Sequence, residues 1–303
     1  VEIGARIKET KPAGIVIAAR GSSDNAALYA KYLFGVRNRI LVSLAAPSLF
    51  TRYASPPRLP GQCVIGVSQS GESPDVIAVI AEARRQGDLT IAITNSVESQ
   101  LAATAELVLA LGAGAENSVP ASKTYTASVL ALALISQGID QDAGFEAALQ
   151  DVPKAIAAAI ANESEVASLA PRLDGQRAIV LGRGFNFSTA DEIALKLSET
   201  SYVLARAWSV SDFEHGPIAI VESGLPVVLV DGGGPLEAEL QPLRERLAAM
   251  GCDVIELTDR TLPEELTPVT LAVKGQLLAL HVAAARGIDP DRPRAIHKVT
   301  KTW

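Results

Sequence analysis

Short runs of consecutive apolar residues alternate along the chain with longer stretches in which apolar positions recur every three to four residues. Gly14-Ile15-Val16-Ile17-Ala18-Ala19 is the first such run, and "GSSDNAALYAKYLFG" after it reads as a turn followed by a helix. Then come "ILVSLAA", "CVIGVS", the helical "SPDVIAVIAEARRQG", the strand-like "TIAITN" and "AELVLAL". The helical stretch "SKTYTASVLALALISQG" closes this half. Strand runs that are apolar on both faces, separated by helices of this length, predict right-handed βαβ crossovers and a parallel sheet covered by helices on either side.

The same plan then restarts. "AIVLGRGFNFSTADEIALKLSE" from Ala178 lies beside "IVIAARGSSDNAALYAKYLF" from Ile15, each a strand, a glycine-containing turn and an amphipathic helix. Later, "LPVVLVDGGGPLEAELQPLRERLAAMG" parallels "CVIGVSQSGESPDVIAVIAEARRQG", with Gly232-Gly233-Gly234 in place of the serines. An internal repeat of this length predicts two doubly wound α/β domains. We place them at residues 1–145 and 174–303, joined by a polar, Ala-rich helical linker over 146–173, with the phosphate chemistry in the first alone.

Composition narrows the choice of ligand. The 303 residues carry 27 Lys+Arg against 34 Asp+Glu, a formal net charge of −7. That balance argues against a broad nucleic-acid footprint, which needs a basic face. No apolar run in the sequence approaches the roughly 20 residues of a membrane span, so no membrane partner is expected and the cytoplasm is the default location. Cys63 and Cys252 sit beside apolar runs, far apart and without metal-site spacing, and read as small buried hydrophobes. The chain begins at Val1 rather than Met, and we expect residues to precede it.

A negative net charge does not exclude a phosphorylated small molecule, because helix N-termini and backbone amides bind phosphate locally. "SQSGES", residues 68–73, leaves an apolar strand and opens a helix with Ser68, Gln69, Ser70 and Ser73, and Pro74 stands where the first helical turn begins. One serine would suffice as a cap; three within six positions, plus an amide, exceed that need. Ser22 and Ser23 in "RGSSDN" add hydroxyls from another strand end. Ligands of open α/β sheets bind at such carboxyl ends. The Gly-Lys-Ser/Thr ending of a nucleoside-triphosphate loop is missing, so the expected anion is a smaller phosphate ester.

Taken together, "GSS", "SQSGES", "ENSVPASKTYT", "GRGFNFSTADEIALKLSETSY", "EHGPIAI" and "DPDRPRAIHKVTKT" resemble the sugar isomerase (SIS) domain family. Across nearly the whole chain they resemble the isomerase half of glucosamine-6-phosphate synthases. The resemblance implies two SIS domains, a hexose 6-phosphate substrate, no metal, no organic cofactor, and a homodimer with shared active sites. It implies that Ser23, Ser68, Gln69, Ser70 and Ser73 hold the sugar phosphate and that Ser122 lines the sugar hydroxyls. It implies further that Glu199 moves a proton between C1 and C2, that His215 of a neighbouring copy opens the ring, and that Lys298 forms a Schiff base with an open-chain ketose. Glu214 departs from the pattern, standing where the synthases have a basic residue. The ending "DRPRAIHKVTKT" lies closer to stand-alone glucosamine-6-phosphate deaminases of the same type.

The reaction asks for such residue types. Aldose–ketose isomerisation needs a base that lifts a proton α to a carbonyl or imine and returns it one carbon away, work that suits a carboxylate. Glu192, Lys196 and Glu199 fall at i, i+4 and i+7 along one side of a helix, with Lys196 read as a substrate-binding residue and ordinary solvated charge pairs as the competing reading. His215, in "FEHGP", sits where Gly and Pro end regular structure, and a loop histidine suits proton transfer at a sugar ring oxygen. His281, inside "LLALHVAAA", reads as a core histidine, and His297 stands beside Lys298. Lys298 is either a solvated tail lysine or a desolvated amine that attacks carbonyls. The expected activity is isomerising deamination of glucosamine 6-phosphate to fructose 6-phosphate and ammonia. The alternatives are another phosphosugar isomerase or deglycase, a synthase-type aminotransferase, and a non-catalytic sugar-phosphate sensor.

Overall fold

The computed structural model describes residues 2–296 and Lys298, and these residues form two compact units. One comprises the chain up to Asn117, Lys123–Glu146 and the residues from Ile296; the other comprises Ser118–Ser122 and Ala147–Ala295. Chain order alone does not show that short segments at 118–122 and after 295 group with the opposite unit from their neighbours.

The first unit runs α1 (Glu2–Thr10), β1 (Gly14–Ala18), α2 (Ser22–Asn38), β2 (Val42–Leu44), α3 (Ser48–Thr51), β3 (Gln62–Val67), α4 (Pro74–Gln86), β4 (Leu89–Thr94), α5 (Gln100–Thr104), β5 (Leu107–Ala110) and α6 (Lys123–Ile139). Its sheet has the order β2-β1-β3-β4-β5, and every pairing is parallel. β3 and β4, buried along almost their whole length, occupy the interior, where both faces are covered, whereas β5 alternates half-buried and exposed positions at the edge. Val64, Val76, Val79, Ile80 and Leu101 form a core cluster between the sheet and α4.

α7 (Ala143–Ala161) leads into the second unit: α8 (Glu163–Ala167), β6 (Arg177–Gly182), α9 (Phe185–Ser201), β7 (Leu204–Ser209), α10 (Val210–Glu214), β8 (Pro226–Asp231), α11 (Leu240–Ala249), β9 (Asp253–Thr258) and α12 (Thr267–Ala285). The four-stranded parallel sheet has the order β7-β6-β8-β9. One core cluster fills the face under α9 and α12, and another, around Phe213, Leu229, Leu243 and Leu247, fills the opposite face. The fold is therefore α/β with two parallel sheets flanked by helices. The repeat extends to backbone detail: Gly21 after β1 has φ 55°, ψ −132°, and Gly184 after β6 has φ 57°, ψ −129°. Only glycine takes up that conformation readily, so the same tight turn opens α2 and α9.

Three sequence expectations need correction. β7 and β9 were not foreseen, because "LARAWS" and "DVIELT" carry exposed polar positions that hide their strand character. A helix spanning 264–285 is long and apolar enough to cross a membrane by length and composition, contrary to the reading that no such run exists. Its apolar window is 61% buried, and α12 packs so closely on α9 that a Cβ at Gly275 would lie 2.2 Å from Ile193. His281 is not a sealed core histidine; it is partly exposed, with Nε2 2.8 Å from Glu163 Oε1. Cys63 is buried, and burial pushes its thiol up to about 12, while Cys252 is only partly buried.

Candidate functional site

The "SQSGES" loop joins β3 to α4. Ser68 is buried, and Gln69, Ser70 and Ser73 are partly exposed. The Ser68 hydroxyl accepts the Gly71 N–H at 3.2 Å and lies 3.2 Å from the Ser73 hydroxyl; the Ser70 hydroxyl accepts the Glu72 N–H at 3.2 Å. Ser73 occupies the N-cap position of α4, yet its side chain makes no capping bond, so capping does not account for these serines. Each hydroxyl that accepts from the backbone still has an O–H to donate, which suits a phosphate oxygen. The loop is tied to the segment after β4: the Gln69 carbonyl accepts from Asn95 N and Thr94 Oγ1, and the Gly71 carbonyl accepts from Leu101 N. Gly71 has φ +68°, and a Cβ there would lie 2.0 Å from Ser99 Oγ.

Residues after β1 complete this end of the sheet. Ala18 pairs with Gly66, so Arg20 and Ser68 stand two steps beyond paired positions on adjacent strands. Ser22 and Ser23, partly exposed, open α2. Arg20 Nε donates to Asp75 Oδ2 at 2.6 Å, and Asp75 Oδ1 accepts the Val76 N–H at 2.9 Å. Burial raises Asp24 above the usual carboxylate range, against the opposing pull of Arg20.

In the same unit, Lys298 Nζ lies 3.6 Å from Glu116 Oε2. Glu116 is buried and accepts from the Thr124 N–H at 3.1 Å and the Thr124 hydroxyl at 2.5 Å. His297, singled out beside Lys298, lies outside the described residues. Ser122, in the second unit, is partly exposed, and its carbonyl accepts from Gln276 Nε2 at 3.3 Å.

On α9, Lys196 Nζ sits 2.5 Å from Glu199 Oε2 and 3.6 Å from Glu192 Oε1. The lysine side chain is 4% exposed, Glu192 1% and Glu199 26%. These are not solvated charge pairs. The helix buries a cation between two carboxylates and leaves one carboxylate at the open end. His215 is exposed and ends α10, just before the turn at Gly216 and Pro217.

The second unit treats its own strand ends differently. Asp231 closes β8; Oδ1 accepts the Gly233 N–H at 2.9 Å, and Oδ2 accepts from Arg244 at 2.6 Å and Arg260 at 2.9 Å. Burial alone would raise this carboxyl, but the Gly233 amide and the two arginines hold it below the ordinary range. Arg183, after β6, pairs with Glu239 at 2.5 Å. The cavity left here, lined by Arg183, Asn186, Gly233 and Glu264 among others, is only about 10 Å³, room for a single water. Burial, Glu265 and Asp231 push Glu264 up to about 7.

A family model described as SIS domain matches residues 10–136 and 174–264, more than half of the chain, and the chain belongs to the SIS domain family. It is 33% identical over 309 residues to the glutamine--fructose-6-phosphate aminotransferase [isomerizing] of Thermococcus kodakarensis, covering 94% of this chain and 51% of that protein. It thus spans about half the length of the curated relatives it matches. The C-terminal domain of glucosamine-fructose-6-phosphate aminotransferase from Francisella tularensis superposes with a TM-score of 0.87 at 25% identity, covering 97% of this chain and 90% of that one. Glucosamine-6-phosphate deaminase from Thermotoga maritima shares the fold, with a TM-score of 0.83 at 22% identity and coverage of 99% and 98%.

The structure brings Ser68, Ser70 and Ser73 together and joins Lys196 to Glu199. Sequence reading did not single out Arg20, Asp75 and Glu116, which the structure sets in ion pairs beside the candidate residues. Arg20 had a signal, its place beside "GSS"; Glu116 and Asp75 had none, since burial decides their importance.

Proposed function

We propose that this chain is an isomerising glucosamine-6-phosphate deaminase. The observation that carries the reading is the buried Lys196 held between Glu192 and Glu199. A helix with no chemistry to perform gains little from desolvating three charges, whereas a carboxylate at the open end of such a cluster is placed for proton transfer. In this reading Ser22, Ser23, Ser68, Gln69, Ser70 and Ser73 hold the phosphate of the sugar, and Ser122 meets its hydroxyls. His215, supplied to a second copy of the chain in a homodimer, returns the proton to the ring oxygen as the ring opens. Glu199 takes the C2 proton and delivers it to C1, converting the open-chain amino aldose into a C2 iminium. Water adds to that carbon and ammonia leaves, giving fructose 6-phosphate. Lys298 assists by displacing ammonia through its own imine, which water then hydrolyses. No metal or organic cofactor enters these steps.

The name of the relatives favours a second reading, the same carbon chemistry run towards amination of fructose 6-phosphate with ammonia delivered from elsewhere. One experiment separates the readings: ammonia and fructose 6-phosphate are followed after adding glucosamine 6-phosphate, and glucosamine 6-phosphate after adding fructose 6-phosphate with ammonium. Glu199→Gln is expected to bind substrate and turn it over at least about 100-fold more slowly. Undiminished ammonia release from that variant would remove Glu199 from its role. Isomerisation of another hexose phosphate without ammonia release would replace the deaminase reading.

A further inference from the structure

The phosphate loop is short of positive charge. Over residues 18–25 and 67–76, Arg20 is the one cationic side chain, set against carboxylates at Asp24, Glu72 and Asp75. Hydroxyls and backbone amides can orient a dianion, but they carry no net charge to balance it, and the acidic residues of the two segments supply none. A site of this composition needs a cation aimed at the ligand.

Arg20 is held as such a group would be. Its Nε donates to Asp75 Oδ2 at 2.6 Å, and Asp75 is only 1% exposed while the arginine side chain is 50% exposed. One end of the guanidinium is therefore fixed against a sealed carboxylate and the rest stands open. The Nε contact uses one of five N–H donors and leaves the four on the two terminal nitrogens, the fork that grips phosphate oxygens in pairs. The strand register puts Arg20 and Ser68 each two residues beyond the paired Ala18 and Gly66, at the same end of the sheet. Asp75 belongs to the first turn of α4, immediately after Ser73 and Pro74. The pair therefore anchors Arg20 to the helix whose entry carries the serines.

We infer that Arg20 is a direct ligand of the substrate's phosphate ester, oriented by Asp75, and that it supplies the charge selectivity the loop serines lack. The inference rests on the phosphosugar reading above and adds to it a residue outside the serine set. The competing role is internal: Arg20 neutralises Asp75 and nothing more, as Arg183 pairs with Glu239 at the equivalent strand end of the other unit.

Binding of inorganic phosphate, glucose 6-phosphate and glucosamine 6-phosphate is measured by calorimetry for the wild type, Arg20→Gln, Arg20→Lys and the double variant Arg20→Gln/Asp75→Asn. The double variant replaces the ion pair by a neutral one, so it keeps the test meaningful even if Arg20→Gln alone strands Asp75 and fails to fold. Direct ligation predicts that Arg20→Gln weakens binding of all three ligands by roughly 10- to 100-fold. It also predicts that Arg20→Lys recovers part of the loss and that the double variant recovers none. Wild-type affinity in the double variant, or in Arg20→Gln itself, would overturn the inference and leave the phosphosugar reading standing. A wild type that binds none of the three would sink that reading and the inference together.

Discussion

Gly71 is the residue on which the proposed phosphate loop turns. An alanine there must adopt φ +68° and place its methyl group against Ser99 and Thr94. The left-handed backbone alone costs an L-residue about 1–2 kcal/mol, and the contact adds to it. Gly71→Ala is expected to lower stability by at least about 2 kcal/mol, seen in thermal or urea unfolding, and to raise KM for the proposed phosphosugar substrate because relieving the clash shifts the loop that carries Ser68 and Ser70. Glu264 makes a different prediction. Its carboxyl, raised to about 7 by burial, Glu265 and Asp231, binds a proton in the folded chain that it has released in the unfolded chain between about pH 4.5 and 7. Stability from this group is therefore fully present below its unfolded value and declines as pH rises through its folded one. Glu264→Gln should be the more stable form above pH 7, by about 1 kcal/mol after solvent screening, and should lose that advantage towards pH 4.5; urea midpoints across the range test this.

At the scale of elements, α9 carries the buried charge cluster and hydroxyls that fold back on its own backbone: Ser198, Thr200 and Ser201 donate to carbonyls four residues earlier at 2.7–2.8 Å. Those bonds let polar side chains line a helix buried on most of its surface. Removing the lysine alone should be costly, since it takes away the buried cation that lies between Glu192 and Glu199. Lys196→Gln is expected to destabilise the chain by about 3 kcal/mol, and Glu192→Gln/Lys196→Gln by less, a non-additivity that a double-mutant cycle measures. The spacing i, i+4, i+7 made this alignment legible, because periodicity is a property of the sequence. Whether the aligned side faced water was not legible, because the burial of Glu192 and Lys196 is set by packing in the folded unit and not by their spacing along the helix. Similarly, β1, β3 and β4 are plain in their runs of apolar residues with no charged position, while edge strands β7 and β9 mix in charged residues and escape notice. The serines of the phosphate loop could be read directly. Glu116, which meets the candidate imine-forming lysine, could not, since nothing in the letters around it distinguishes a buried carboxylate from an exposed one.

For the whole molecule, the proposed sharing of sites between copies has a direct test. Glu199→Gln and His215→Ala proteins, each expected to be strongly impaired alone, are mixed under conditions that exchange subunits. If His215 serves a neighbouring chain, a mixed dimer holds one site with both residues intact, and activity should reappear with the exchange. Silence after verified exchange would confine both residues to one copy or dismiss His215. The two units also face different fates when ligand arrives. Around Asp231 the second unit already contains its own counter-ions, two guanidinium groups closed on one carboxylate, and so has no vacancy for a guest. Amide protons at residues 68–76 should accordingly exchange with deuterium more slowly once a sugar phosphate is added, while those at 231–235 keep their pace. One duplicated half would register the visitor, and the other would carry a permanent internal substitute for it.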